Sequence, residues 1–159
     1  MPSKLPKSTF LAIASVAWAD GRMSKAEAIG LVHAAKTLGL EGDDLAAIEK
    51  ATKEKVTIDA FDPSGLSSWE KLVTFGLASW LSRLDGVQQG AEIDSLRTLH
   101  GKLEGGDVTD YKLRSAAAIA FDVAMMPEGR RPERFDFGAL EAQLAERFPT
   151  VNRVSSVPE

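Results

Sequence analysis

One phrase occurs twice in this chain, and that repeat restricts the possible folds more than any other feature. Residues 17–31 read AWADGRMSKAEAIGL; 65 positions on, residues 82–96 read SRLDGVQQGAEIDSL. Both contain D-G-x5-E, with Asp20, Gly21, Ala26, Glu27 and Leu31 recurring as Asp85, Gly86, Ala91, Glu92 and Leu96. Upstream, Thr9-Phe10 recurs as Thr74-Phe75. A period in this range predicts a helical unit used twice rather than one irregular fold.

Helical periodicity runs through most of the chain. Phe10, Ile13, Ala14 and Ala17 mark a first helix over about residues 8–19, stopped at Asp20-Gly21. Ser24 opens a second, with Ala28, Leu31, Ala35 and Leu38 on one stripe and Gly39 as its stop. Asp43 is the expected cap of a third, carrying Leu45 and Ile48, before a loop over residues 57–65. Ser67 and Glu70 form a capping box for what reads as the longest helix, striped by Trp69, Val73, Trp80, Leu81 and Leu84. Ile93, Leu96, Leu99 and Leu103 stripe a fifth. After Gly105-Gly106 comes a sixth over about 108–126, whose Ala116, Ala117, Ala120 and Ala124 would let another helix approach closely. Asp136 caps a seventh with Phe137, Leu140, Leu144 and Phe148. No convincing strand pair is present. The expectation is a single all-α domain of about seven helices over residues 1–148, followed by a loose tail over 149–159.

Composition narrows the function. At 159 residues, 44% of them hydrophobic and 26% charged, the chain can build one core and not two. A net charge of −4 without a basic stripe argues against nucleic acid as a partner. Arg130-Arg131 with Arg134, set among Pro and Glu, reads as a solvated loop. The absence of cysteine removes disulfides, thiolate zinc sites and cysteine nucleophiles. Lys4 and Lys7 ahead of FLAIASVAWA, with Ala17-Trp18-Ala19, imitate a signal peptide. The same place in the second repeat holds TFGLASWL, so the run is expected to be a core helix. No stretch approaches the roughly 18 apolar residues of a membrane span.

The D-G-x5-E phrase has a structural explanation in its first copy. Gly21 supplies the turn, and Ser24 with Glu27 makes a capping box for the next helix. The second copy is an internal control. Gln89 replaces Ser24, so the box is lost, yet Asp85 and Glu92 both persist. Capping therefore accounts for Gly86 and partly for Glu92, which still favours a helix N-terminus, but not for Asp85.

The last eight positions of a calcium EF-hand loop have the same D-G-x5-E form. The earlier ligand positions would be Val16 and Trp18, or Leu81 and Arg83, which cannot serve, so a standard EF-hand is excluded. Four carboxylates remain, Asp20, Glu27, Asp85 and Glu92, and they would suit a hard cation such as Ca²⁺ or Mg²⁺ if the copies face each other.

ASVAWADGRMSKAE, followed by a Leu-striped helix ending in Leu-Gly and by a second D-G-x5-E unit, resembles the tellurite-resistance TerB-like family. It is also similar to the N-terminal domain of a membrane-anchored DnaJ-type co-chaperone. The resemblance covers about residues 8–104 and extends over the bundle to 148. The second motif departs from the pattern, with Gln88 where the family favours an aliphatic residue and Leu84 where it favours a small one. The resemblance implies a compact cytoplasmic domain of about seven helices, associated with the response to tellurite and other stresses. It implies divalent-metal coordination through Asp20, Glu27, Asp85 and Glu92, or docking onto protein partners, some of them membrane-associated.

Other chemistry is sparse. His33 and His100 fall at different repeat positions and lack metal-ligand spacing. Phosphate-binding, dinucleotide and zinc-protease motifs are absent from the sequence. Trp18, Trp69, Trp80 and the Met125-Met126 pair are expected in the core. Three functional classes follow: a cation-responsive stress module, a metal-free protein adaptor, and a carboxylate-dependent hydrolase. The hydrolase ranks last, because no nucleophile or catalytic histidine accompanies the carboxylates.

Overall fold

A computed structural model describes residues 5–19, 21, 23–56, 61–63, 65–81, 90–105, 107–125 and 135–149, with the backbone alone for 90–92. Among the described residues seven helices follow in order: α1 Lys7–Ala17, α2 Lys25–Thr37, α3 Gly42–Ala51, α4 Ser68–Leu81, α5 Gly90–Leu103, α6 Asp110–Ala124 and α7 Phe137–Arg147. The fold is all-α, and among the described residues the single β pairing is an isolated bridge between Gly105 and Val108.

The helix at the centre is α4. Every residue from Leu72 to Leu81 is buried, so the expected stripe understates a helix that is enclosed on all sides. It packs against α1, α2, α5 and α6. The tightest approach is to α6. A Cβ on Gly76 would stand 3.2 Å from the Ala116 carbonyl oxygen and 3.7 Å from the Ala120 Cβ. Ala116 and Ala120 of α6 thus do what their spacing predicted, with Gly76 as their counterpart on α4, whereas Ala117 and Ala124 are only partly buried.

Residues equivalent in the two repeats also meet. Thr9 of α1 and Thr74 of α4 are both fully buried, and their hydroxyls are hydrogen-bonded at 3.2 Å. Besides its own hairpin partner, each of these helices touches the partner of the other: α1 packs on α2 and on α5, α4 on α5 and on α2. Phe10 and Phe75 are buried alike. The apolar run at the N-terminus is therefore core, as the repeat required.

Local signals hold at most helix ends. Ser67 and Glu70 form the expected box, with Glu70 N–H donating to Ser67 Oγ at 3.1 Å and Ser67 N–H to Glu70 Oε1 at 2.8 Å. Asp136 Oδ1 accepts from Ala139 N–H at 2.9 Å. At Gly39 (φ 100°) α2 stops, with Leu40 N–H reaching the Ala35 carbonyl at 2.9 Å.

Several expectations need correction. Asp43 is not a cap: the chain enters α3 after Glu41, so Asp43 and Asp44 lie in the first turn, where negative charge suits the helix dipole. α6, with 15 residues, is one longer than α4. Ile93 is 37% exposed, because it is turned by about 120° from Leu99 around the helix axis. Trp18 is only part-buried, and its indole N–H donates to the Ala51 carbonyl at 2.7 Å, tying the end of α1 to the end of α3. Met125 is 67% exposed rather than core. Met126, Leu84, the Arg130–Arg134 cluster and residues 150–159 lie outside the described residues.

Candidate functional site

The first acidic turn links α1 to α2. Trp18 N–H bonds back to Ala14 and Ala19 N–H to Val16, and Gly21 N–H closes on the Trp18 carbonyl at 2.8 Å. Gly21 has φ 94°, a backbone state that side chains resist, which explains glycine at this step. Ser24 is then the N-cap of α2. Its hydroxyl accepts Glu27 N–H at 3.1 Å, while Glu27 Oε1 accepts Ser24 N–H at 2.9 Å. Glu27 is 3% exposed.

Glu70 tests how much that burial means. It too sits in a Ser-x-x-Glu box, with distances within 0.1 Å of those at Glu27, and it too is buried, at 6% exposure. No Asp-Gly turn precedes it. Capping alone therefore suffices to place and bury a glutamate in this fold.

Asp20 and Asp85 lie outside the described residues, as does the side chain of Glu92. The backbone of Glu92 is described: it is the third residue of α5, as Glu27 is the third of α2. The repeat thus sets its two glutamates at the same helical position, one with a capping serine before it and one without. Among the described residues no three His, Asp or Glu side chains gather to hold a metal ion.

The histidines serve local packing. His33 Nδ1 is 3.4 Å from Thr37 Oγ1, and its ring lies 5.1 Å from that of Phe137. His100 Nε2 is 2.8 Å from Asp110 Oδ1, and its ring meets Phe75 edge-on at 5.6 Å. The first contact joins the last turn of α5 to the first turn of α6.

One surface was not anticipated. The outer side of α6 exposes Tyr111 at 58% and Met125 at 67%. Beside it, between α6 and α7, an open groove of about 380 Å³ is lined by Ile119, Gln143, Glu146 and Arg147. The Arg147 guanidinium lies 5.3 Å from the centre of the Tyr111 ring. The signal was available in the sequence, since Tyr111, Ala118 and Met125 recur at intervals of seven.

Among the described residues no helix is long and apolar enough to cross a membrane. No protein-family model, curated protein or solved structure matches the chain.

Proposed function

We propose that this chain is a TerB-like stress-response binding module that takes a divalent cation, Ca²⁺ or Mg²⁺, through its duplicated acidic turns. Asp20 and Glu27 would hold it in the first turn, Asp85 and Glu92 in the second. The observation that carries the reading is the placement of Glu27 and Glu92 at the same third position of equivalent helices, although serine precedes only the first, with Gln89 at the corresponding place in the second. With the capping serine missing, the helix dipole accounts only partly for Glu92, and nothing in capping accounts for Asp85. Bound metal would link the two helix-turn-helix units and raise the stability of the folded chain by mass action.

The test is calorimetric titration with Ca²⁺, Mg²⁺, Mn²⁺ and Zn²⁺, beside melting curves at rising metal concentration. Binding heat and a metal-dependent rise in Tm are expected, both reduced by Asp20→Asn. Neither signal at about millimolar metal, where binding is worth only about 4 kcal/mol, would refute the reading.

A second reading is a protein adaptor that needs no metal. It is favoured by the equivalence of Glu27 and Glu70, which accounts for one candidate ligand by capping alone, and by the exposed aromatic face of α6. Its partners would be other proteins, membrane-associated ones included.

A further inference from the structure

The outward face of α6 is laid out so that it can pair with itself. We infer that two copies of this chain associate through antiparallel α6 helices, with the two-fold axis at Ala118. The inference is independent of any metal.

Tyr111, Ala118 and Met125 are all exposed, and their seven-residue spacing puts them on one line along the helix, drifting by only about 20° per interval. Arg114 and Asp122 flank the same line, the former with its side chain 78% exposed. The inner side of the helix is committed elsewhere: Leu113, Ala116, Ala120 and Val123 are buried in the core.

A two-fold axis at Ala118 pairs each residue with the one equally far along on the other side. Ala118 meets its own copy at the crossing, where a small side chain lets the helices approach closely. Tyr111, seven residues before, meets Met125 of the second copy, an aromatic–thioether contact. Arg114, four residues before, meets Asp122 of the second copy. The charges select the orientation. Antiparallel helices set Arg114 against Asp122 at both ends, whereas parallel helices in register would oppose arginine to arginine and aspartate to aspartate. Arg114 uses Nε on its own Asp110, at 3.1 Å, while no ion pair of Asp122 occurs among the described residues. Arg147, stacked on Tyr111, restrains that ring before association and so lowers the cost of ordering it.

One helix face covers less area than a standard stable interface, so the dimer should be weak, with a dissociation constant on the order of 0.1 mM. Sedimentation equilibrium on the full chain tests this. Wild type should shift from monomer to dimer as its concentration rises toward about 1 mM. Arg114→Glu and Asp122→Lys alone should each weaken association at least tenfold, since each opposes like charges. Mixed in equal amounts, these two variants should recover the dimer, because both charge pairs are then complementary. Ala118→Glu should abolish association while leaving the helical circular-dichroism spectrum intact. A wild type monomeric throughout this range, a mixture that stays monomeric, or a dimer that survives Ala118→Glu would overturn the proposal.

Discussion

The hydroxyls of Thr9 and Thr74 meet in the core, 3.2 Å apart across 65 residues of chain. They are the same residue of the two repeats. Equivalent positions touch each other where the axis relating two copies passes between them, as at the centre of a symmetric dimer. The reciprocal packing of α1 on α5 and α4 on α2 follows the same rule. The duplication is therefore built into the core as an internal pairing, with α1 and α4 as its centre.

That contact can be measured. One hydroxyl carries one proton, and Thr74 Oγ1 already lies 2.7 Å from the Glu70 carbonyl, so the two threonines share a single remaining bond. Thr9→Val and Thr74→Val should each cost about 1 kcal/mol, because each removes the shared bond; Thr74 keeps its bond to the Glu70 carbonyl in the first variant, whereas Thr9 loses its partner in the second. The double variant should cost less than the two added together, by about 0.5–1.5 kcal/mol, since an apolar pair replaces both partners. Urea unfolding of all four proteins gives the cycle. Strict additivity would mean that the two hydroxyls do not interact.

Gly76 should resist replacement. Alanine is normally the better helix former by up to about 1 kcal/mol. Here its methyl would meet the Ala116 backbone carbonyl at 3.2 Å, and a helix backbone cannot swing aside as a flexible side chain would. Overpacking of this kind costs about 1–3 kcal/mol, which exceeds the propensity gain. Gly76→Ala should therefore lower Tm, by a few degrees for a domain of this size. An unchanged or raised Tm would show that α6 can move away from α4.

Phe10 carries the N-terminal expectation. It is fully buried at the end of the first turn of α1, so Phe10→Ala should cost about 3 kcal/mol or more in urea unfolding. A loss under about 1 kcal/mol would mean that α1 contributes little to the core, contrary to its packing against four other helices.

Periodicity and capping chemistry made the helices legible. Ser24–Glu27, Ser67–Glu70 and Asp136 each act where their local pattern placed them, because a cap depends on residues only three apart. What local pattern could not reveal was which helix lies in the middle. A stripe on α4 says that one side is apolar; that the remaining sides are covered too depends on three-dimensional packing, including Gly76 against Ala116. Trp18 and Met125 were misplaced for a related reason. Large apolar residues at helix ends lie where the core runs out, so Trp18 binds a carbonyl at the end of α3 and Met125 faces outward. Of the candidate site, the sequence revealed the repeat of the acidic pair, and the structure revealed the helical position of its two glutamates. It also showed, through Glu70, that burial of Glu27 has a sufficient cause in capping.

The matched pair Glu27 and Glu70 gives the sharpest test of function. Both accept a Ser N–H at the head of a helix, and glutamine can accept the same bond. If capping is all that either residue does, Glu27→Gln and Glu70→Gln should change stability alike, by less than about 0.5 kcal/mol each beyond any cost of losing local charge at the helix N-terminus. Ser24→Ala and Ser67→Ala, which remove the cap itself, should each cost about 1 kcal/mol. If the first turn holds a cation, the variants part company when metal is added. Wild type and Glu70→Gln should gain the same rise in Tm with increasing Ca²⁺ or Mg²⁺, while Glu27→Gln loses most of it. Asp85→Asn then reports on the second turn. It should mimic Asp20→Asn if one site spans both repeats, and leave the metal response intact if the first turn binds alone. Parallel behaviour of Glu27→Gln and Glu70→Gln at every metal concentration would remove Glu27 from the ligand set.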